Sequence, residues 1–307
     1  SLIKDKNGTT IGARMGRPEK AKMRKMIGSP HVLFPVGKEG GKMRTFHSAL
    51  GKKIVTAEFS VFYCEECKKE TIYKICEGCG TRTMKISVPF KKLSLDIVHY
   101  FNSALKLLGV KHYPDIIKGV RGTSNKDHVT ENLAKGILRA SYGLYVNKDG
   151  TVRYDMTETT LTHFSPREIG TSIERLKGIG YTKDMFGDSL EHEDQIVEIK
   201  PQDVILPSCQ ESLDEKADVV MMNLAHFVDD LLVKLYGLKA FYNFTKREDL
   251  VGHLIVGMSP HTSAGVIGRV IGFSNTQGFF CHPYFHSLMR RDCDGDEACF
   301  ILLMDCL

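Results

Sequence analysis

No apolar run in these 307 residues approaches the ~18 positions that a membrane-spanning helix needs, so neither such a helix nor a membrane partner is expected. The start, Ser1-Leu-Ile-Lys-Asp-Lys, lacks an initiator Met and any secretory pattern. Without such a signal, nine cysteines argue for a reducing compartment. No segment repeats at a fixed period, which excludes a solenoid. The chain stops inside an apolar stretch, Met304-Asp-Cys-Leu, and both ends suggest a piece of a longer polypeptide. Acidic residues are scarce only at one end. Residues 1–53 hold thirteen Lys/Arg against three Asp/Glu, a local net of +10, so the remainder sums to −5. That asymmetry favours a polyanionic partner, nucleic acid, over a merely solvated basic face.

What is present is an ordinary globular composition, 42% hydrophobic and 26% charged, in a chain long enough for two or three domains. Its most informative stretch is residues 292–296, Asp-Cys-Asp-Gly-Asp. On a strand, Asp292, Asp294 and Asp296 would share one face. Three anions so close repel one another unless a cation sits between them, and carboxylate oxygens suit Mg²⁺. Gly295 would let the segment curl, and Arg290 and Arg291 just upstream suit phosphate. A calcium loop of EF-hand type is excluded: the glycine comes fourth instead of sixth, and the twelfth position is Leu303. A solvated acidic turn is the plainer alternative. A surface turn rarely runs from two arginines into the apolar stretch Ala298-Cys-Phe-Ile-Leu-Leu-Met, so metal-assisted phosphoryl transfer is the expectation.

Cys64-Glu-Glu-Cys67 and, eight residues on, Cys76-Glu-Gly-Cys79 lie between strand-like stretches at Ile54–Tyr63 and Met84–Val88. Two CxxC pairs at hairpin tips make a zinc ribbon, and four thiolates close a structural Zn²⁺ site with no open position for catalysis. A redox pair would need one CxxC and a helix start behind it. The other five cysteines, Cys209, Cys281, Cys293, Cys299 and Cys306, are read as buried thiols.

His31–Phe34 is a strand candidate within the basic segment. Leu95, Val98, Phe101, Leu105 and Leu108 predict an amphipathic helix over 94–108, stopped by Gly109. Ser165-Pro-Arg-Glu168 is a capping box opening a helix that buries Ile169, Ile173 and Leu176 and ends at Gly178 and Gly180. Lys118-Gly-Val-Arg-Gly122 is either a phosphate-contacting turn or a plain glycine turn. Strands are expected at 196–199 and 204–206. The longest helix carries Val220, Leu224, Phe227, Leu231 and Leu235 as core, with Asp229 and Asp230 solvated. From Leu250 onward short strands alternate with glycines, as in a small, sharply bent barrel.

Several long stretches carry a family resemblance. They are Arg14-Met-Gly-Arg-Pro-Glu-Lys-Ala-Lys, His31-Val-Leu-Phe-Pro-Val-Gly, Asp155-Met-Thr through Leu161-Thr-His-Phe, Pro260-His-Thr-Ser-Ala-Gly-Val-Ile-Gly-Arg, His282-Pro-Tyr-Phe-His and the run Arg290 to Glu297. In this order, over nearly all of the chain, they resemble the large subunit of archaeal D-family DNA polymerases. The resemblance implies a mixed α/β, β-rich fold with two double-psi β-barrels, as in multisubunit RNA polymerases, a zinc-ribbon insertion and helical connections. The implied layout is a basic segment of the first barrel at 1–53, the ribbon at 54–92, a connecting region at 93–195 and the second barrel at 196–307. It also implies a cytoplasmic, nucleoid-associated enzyme of templated DNA synthesis. Its partners would be primer-template DNA, dNTPs, a small proofreading exonuclease subunit and a sliding clamp. Two positions depart from the pattern. The family usually has Asn where this chain has Asp292, whose extra charge would tighten Mg²⁺ binding or shift metal preference, and it tends to have an acid where this chain has Ala298.

On this reading Asp294 and Asp296 hold the principal Mg²⁺, with Asp292 as third ligand. Lys22 and Lys25, three apart, would share a face of a helical turn and meet the triphosphate, with Lys20 as the alternative. The plainer reading has all three on the DNA backbone. Arg14, Arg17, Arg24, Arg290 and Arg291 are expected on phosphates of duplex or nucleotide, which position without specifying sequence. His282 and His286 are candidate proton donors or phosphate contacts, with packed, hydrogen-bonded histidines as the alternative. Two rival functions remain: an RNA polymerase on the same barrels, and a non-catalytic zinc-ribbon module that binds nucleic acid. The isolated fragment is expected to be inactive.

Overall fold

The computed structural model describes residues 26–122, 129–211, 215–259, 264–291 and 296–306, without the side chains of 87–89. Arg14, Arg17, Lys20, Lys22, Arg24, Lys25, Asp292, Cys293 and Asp294 lie outside the described residues. The described chain divides into two compact units, Lys25–Val152 with Asn223–Asn243, and Arg153–Met222 with Phe244–Leu307.

In the first of these units, helix α1 (Phe46–Lys52) leads into β1 (Ile54–Cys64), which pairs antiparallel with β2 (Lys69–Thr71) on one side and β3 (Met84–Asp96) on the other. Helix α2 (Ile97–Leu108) starts later than position 94, because Ser94 is paired with Thr56 in the β3 ladder. Asp96 caps it by accepting the N–H groups of Val98 and His99, and Gly109 closes it in a left-handed turn at φ +65°. Ile97, Tyr100, Phe101, Ala104 and Leu108 form the buried face.

His31–Phe34 is not a strand. Val32, Phe34 and Val36 are fully buried, but this stretch meets its neighbour through a single bridge, Pro35 to Val120, and through His31 and Val32 N–H groups donating to the Lys118 carbonyl. Gly119 has a packing reason: a Cβ there would lie 2.5 Å from the Phe34 carbonyl oxygen. Burial, then the Lys118 and Arg139 charges, pull His31 down to about 4, so it sits neutral in this core.

Helix α3 (Leu133–Ser141) carries Arg139, 1% exposed. Its guanidinium pairs with Glu131 at 2.7 Å, donates to the carbonyls of His31 and Gly150, and lies 5.2 Å from the Phe227 ring. Removing one partner of a buried pair leaves the other charge uncompensated. Arg139→Ala is therefore expected to destabilise this unit by roughly 3–5 kcal/mol. Urea unfolding monitored in this unit would measure it; a midpoint within error of the parent protein would mean that water replaces the guanidinium without cost.

Asp229 and Asp230 are not simply solvated. Asp229 accepts the backbone N–H groups of Phe241, Tyr242 and Asn243 at 2.7–2.8 Å, and Asp230 meets the Tyr142 hydroxyl and Lys234. Both acids anchor the chain after the long helix.

The second unit holds a closed six-stranded barrel. Its strands are β4 (Tyr154–Thr160), β7 (Asp203–Pro207), β8 (Leu254–Met258), β9 (Gly265–Ser274), β10 (Gly278–Cys281) and β11 (Glu297–Leu302). They close in the order β10-β4-β11-β8-β9-β7, with β4–β10 and β7–β9 parallel and the other pairs antiparallel. One strand, β4, comes from the 93–195 stretch expected to be connecting. Phe279 and Phe300 meet edge to face at 4.5 Å inside the barrel.

Between β4 and β7 a small layer is inserted, with the short pair β5 (His163–Phe164) and β6 (Val197–Glu198) and helices α4 (Pro166–Ile169) and α5 (Ile173–Gly178). The capping box at Ser165 forms as expected, but the single helix predicted after it is two. Gly170 turns left-handed at φ +60°, and Ser172 starts a new helix by accepting the Arg175 N–H. Between them buried Thr171 donates its hydroxyl to the Ile271 carbonyl at 2.7 Å, which ties the break to β9. The long helix α6 (Ala217–Asp230), within which the division between units falls, ends before Leu231; residues Leu231–Leu235 form a wider π turn instead. Helices α7 (Pro283–Leu288) and α8 (Leu303–Cys306) flank β11 in sequence. No helix among the described residues is long and apolar enough to cross a membrane. The fold class is mixed α/β and β-rich, as expected. Cys281 and Cys299 are buried, whereas Cys209 is half-buried and Cys306 exposed, so the expectation of buried thiols fails at those two positions.

Candidate metal centre and barrel loop

β1 ends on Cys64, and the turn back to β2 carries Cys67; a second turn, braced by a bridge between Ile75 and Arg82, carries Cys76 and Cys79. The four sulfurs lie within 4.8 Å of one another, with Cys64 and Cys79 3.4 Å apart and Cys67 and Cys76 3.8 Å apart. Zn–S bonds of ~2.3 Å in a tetrahedron set sulfurs about 3.8 Å apart, so the cage fits the ion. Thr81, whose hydroxyl is 2.9 Å from Cys79 Sγ, pulls that thiol down to about 6, while the neighbouring Cys79 and Cys76 thiols push Cys67 up to about 12. One sulfur ionises at the expense of the next, a conflict that a cation relieves. Glu77 pins the second turn: its carboxylate meets Lys69 at 3.1 Å, Thr71 at 2.5 Å and His99 of α2 at 3.4 Å. The CxxC spacing announces the sulfurs; the Thr81 and Glu77 partners carry no sequence signal beyond proximity to cysteine.

The acidic stretch lies between α7 and β11. Of its three carboxylates only Asp296 is among the described residues, directly before β11 and partly exposed. Its carboxylate pairs with Arg291 at 2.8 Å, and its carbonyl accepts the Glu158 N–H at 3.1 Å. Arg291 thus adjoins one of the expected metal ligands. Arg290 is exposed and left-handed at φ +52°.

Both histidines make hydrogen bonds within the barrel unit. His282 is the N-cap of α7, its Nδ1 accepting the Tyr284 N–H. His286 is 7% exposed and its Nδ1 lies 2.7 Å from Oε1 of Glu158, so it packs inside the barrel unit. Glu158 is fully buried on β4, and Cys281 Sγ lies 3.6 Å from the same oxygen. Sequence reading passed over this acid. Its signal was strand alternation: Tyr154, Met156 and Glu158 occupy one face of β4, and a Glu in line with Tyr and Met is a buried Glu.

Two family models match the chain. One, described as "DNA polymerase II large subunit DP2, central domain", matches residues 1–97, and one described as "DNA polymerase II large subunit DP2, catalytic domain" matches residues 109–307. Among curated relatives, the DNA polymerase II large subunit of Methanothermobacter thermautotrophicus is 47% identical over 305 residues, covering 99% of this chain and 27% of its own length. Those of Nanoarchaeum equitans and Pyrococcus furiosus are each 43% identical, again over 99% of this chain and over 29% and 26% of their own length. The chain therefore spans under a third of the relatives it matches. A family model over well more than half of the chain, matching the residues of the barrel and the acidic stretch, shows that this chain belongs to the family of archaeal D-family DNA polymerase large subunits.

Proposed function

We propose that this chain is the part of a replicative DNA polymerase large subunit that performs templated nucleotidyl transfer. The observation that carries the proposal is the place of Asp296, the last carboxylate of the acidic stretch: it lies directly before β11 of a closed barrel, within the residues that match the family's catalytic-domain model. Asp292, Asp294 and Asp296 would hold Mg²⁺, a hard ion suited to three carboxylates. When bound, the metal activates the primer 3′-hydroxyl and offsets charge on the departing pyrophosphate. Arg291, tied to Asp296, keeps a cation beside the ligands where nucleotide phosphates would arrive. Arg290 is exposed for duplex or nucleotide phosphate. Lys22 and Lys25, with Lys20 as alternate, would face the triphosphate, and Arg14, Arg17 and Arg24 the duplex. His282 is offered only as a phosphate contact at the edge of α7.

We read the six-stranded barrel as one of a double-psi pair, with the basic segment 1–53 contributing to the other. Cys64, Cys67, Cys76 and Cys79 would hold a structural zinc ion. The partners on this reading are primer-template DNA, dNTPs, the small exonuclease subunit and a sliding clamp, in a cytoplasmic, nucleoid-associated complex. The test is primer extension by the complete large subunit with its small subunit, supplied separately with deoxy- and ribonucleotides and Mg²⁺. Deoxynucleotide incorporation is expected to exceed ribonucleotide incorporation by about 10²-fold, the discrimination available when one added hydroxyl must be rejected by a shaped pocket. A ribonucleotide preference would move the protein to the RNA polymerase side of the barrel class, and no synthesis from a folded complex would leave a binding module.

A further inference from the structure

A carboxylate buried in a barrel is costly unless every flank is satisfied, and an apolar pair of similar volume often stabilises as well or better. The face of β4 that holds Glu158 is otherwise filled by Tyr154 and Met156, so packing alone asks for no acid there. What the acid does is reach both flanks of one segment. Its side chain bonds His286 on α7, 128 positions away in sequence, while its own backbone N–H donates to the carbonyl of Asp296. The α7 flank is tied a second time, where buried Ser259 donates its hydroxyl to the Met289 carbonyl at 2.5 Å. The Asp296 flank is tied a second time by Arg291. Among the described residues the other buried acids of this unit serve other ends: Asp203 is held by Arg269 and Tyr181, and Asp218 by Ser208.

We propose that Glu158 is a positioning residue, acting with His286, that sets the distance between α7 and Asp296 and so presents the Asp296 carboxylate for metal. This rests on the reading of Asp296 as a metal ligand. The bond from Glu158 to His286 fixes α7 against β4, the backbone bond fixes Asp296 against the same residue, and the Arg291–Asp296 pair then has one geometry. Residues that orient a ligand without touching the ion commonly change metal affinity by ~10–100-fold.

The test uses the complete large subunit, with Mn²⁺ as probe, titrated by electron paramagnetic resonance in the presence of primer-template. Asp296→Asn defines the Mn²⁺ that the loop holds. Glu158→Asp keeps the charge but withdraws the carboxyl from His286, and is expected to weaken that Mn²⁺ about tenfold. The double variant Glu158→Leu, His286→Leu keeps volume and removes both polar groups. It is expected to melt near the parent temperature yet weaken Mn²⁺ at the upper end of the 10–100-fold range. Glu158→Gln, which still reaches His286 with an acceptor oxygen, is expected to restore affinity to within about threefold. In primer extension with the small subunit, the same variants should need more Mg²⁺ for half-maximal rate and recover most of their rate when it is saturating. Mn²⁺ affinity unchanged in a folded Glu158→Asp or double-leucine variant overturns the proposal, whatever their melting temperatures. If Asp296→Asn itself leaves Mn²⁺ binding and extension intact, the metal-ligand reading has failed instead, and the two failures are told apart by that control.

Discussion

Asp294→Asn in the complete large subunit, assayed with its small subunit, is expected to lower primer extension by roughly 10³-fold or more while primer-template affinity changes less than about twofold. The substitution keeps size and hydrogen-bonding capacity and removes one negative charge. On the proposed reading the substitution removes a metal ligand; a single group that stabilises developing charge is worth ~10²–10³, and a metal ligand more. Affinity for DNA is spared because it comes from Lys and Arg on phosphates and is read as a salt dependence. Losing an acid would tighten it, if anything. Asp296→Asn should lose as much activity, but with a second consequence, since Asp296 also pairs with Arg291. That pair is partly exposed and contributes at most about 1 kcal/mol. Arg291→Ala separates the two: it should share the small loss of stability without the full loss of synthesis. Retention of more than a tenth of the parent rate by Asp294→Asn would sink the metal assignment.

Cys76→Ser, or treatment with a strong chelator, is expected to release the metal and unfold residues 64–81 while the barrel remains folded. Structural zinc is worth ~10–16 kcal/mol in isolated fingers, so a three-sulfur cage cannot hold the two turns together. The loss should stay local. β1 continues from the cage into a long ladder with β3 from Ser60 to Ile54, over the buried Phe59 and Val55. The barrel strands belong to the other compact unit. Hydrogen exchange is the measurement. Amides of 64–81 should exchange at near-unprotected rates after metal removal, with β4, β8 and β11 unchanged, and metal analysis should fall from one zinc per chain to none. Protection of 64–81 that survives complete removal of metal would show that Glu77 and its partners hold the turns without an ion.

What the sequence determined by itself was local chemistry. Two CxxC pairs at hairpin spacing announce a cage because the ligands come from one short stretch. Asp96 and Gly109 bound α2 because a cap acts on the turn next to it. Four barrel strands, β7, β8, β9 and β11, were legible individually as apolar or β-branched runs, whereas β4 fell in a stretch read as connecting and β10 carried no signal that was read. Specific motifs over the whole length were enough to indicate the family.

The tertiary structure decided everything that depends on a distant partner. Ser94 reads as a helix start, but pairing with Thr56 draws it into β3. Positions 166–178 have one helical period, but Gly170 and the bond from Thr171 to β9 break it in two. Asp229 looks solvated until the chain returns three backbone N–H groups to it from 241–243. His286 looks like a surface ligand on a short helix until β4, far upstream, places Glu158 beneath it. In each case the deciding group lies on another element, and a buried polar atom takes the partner that the fold supplies because going without one costs more than any local preference.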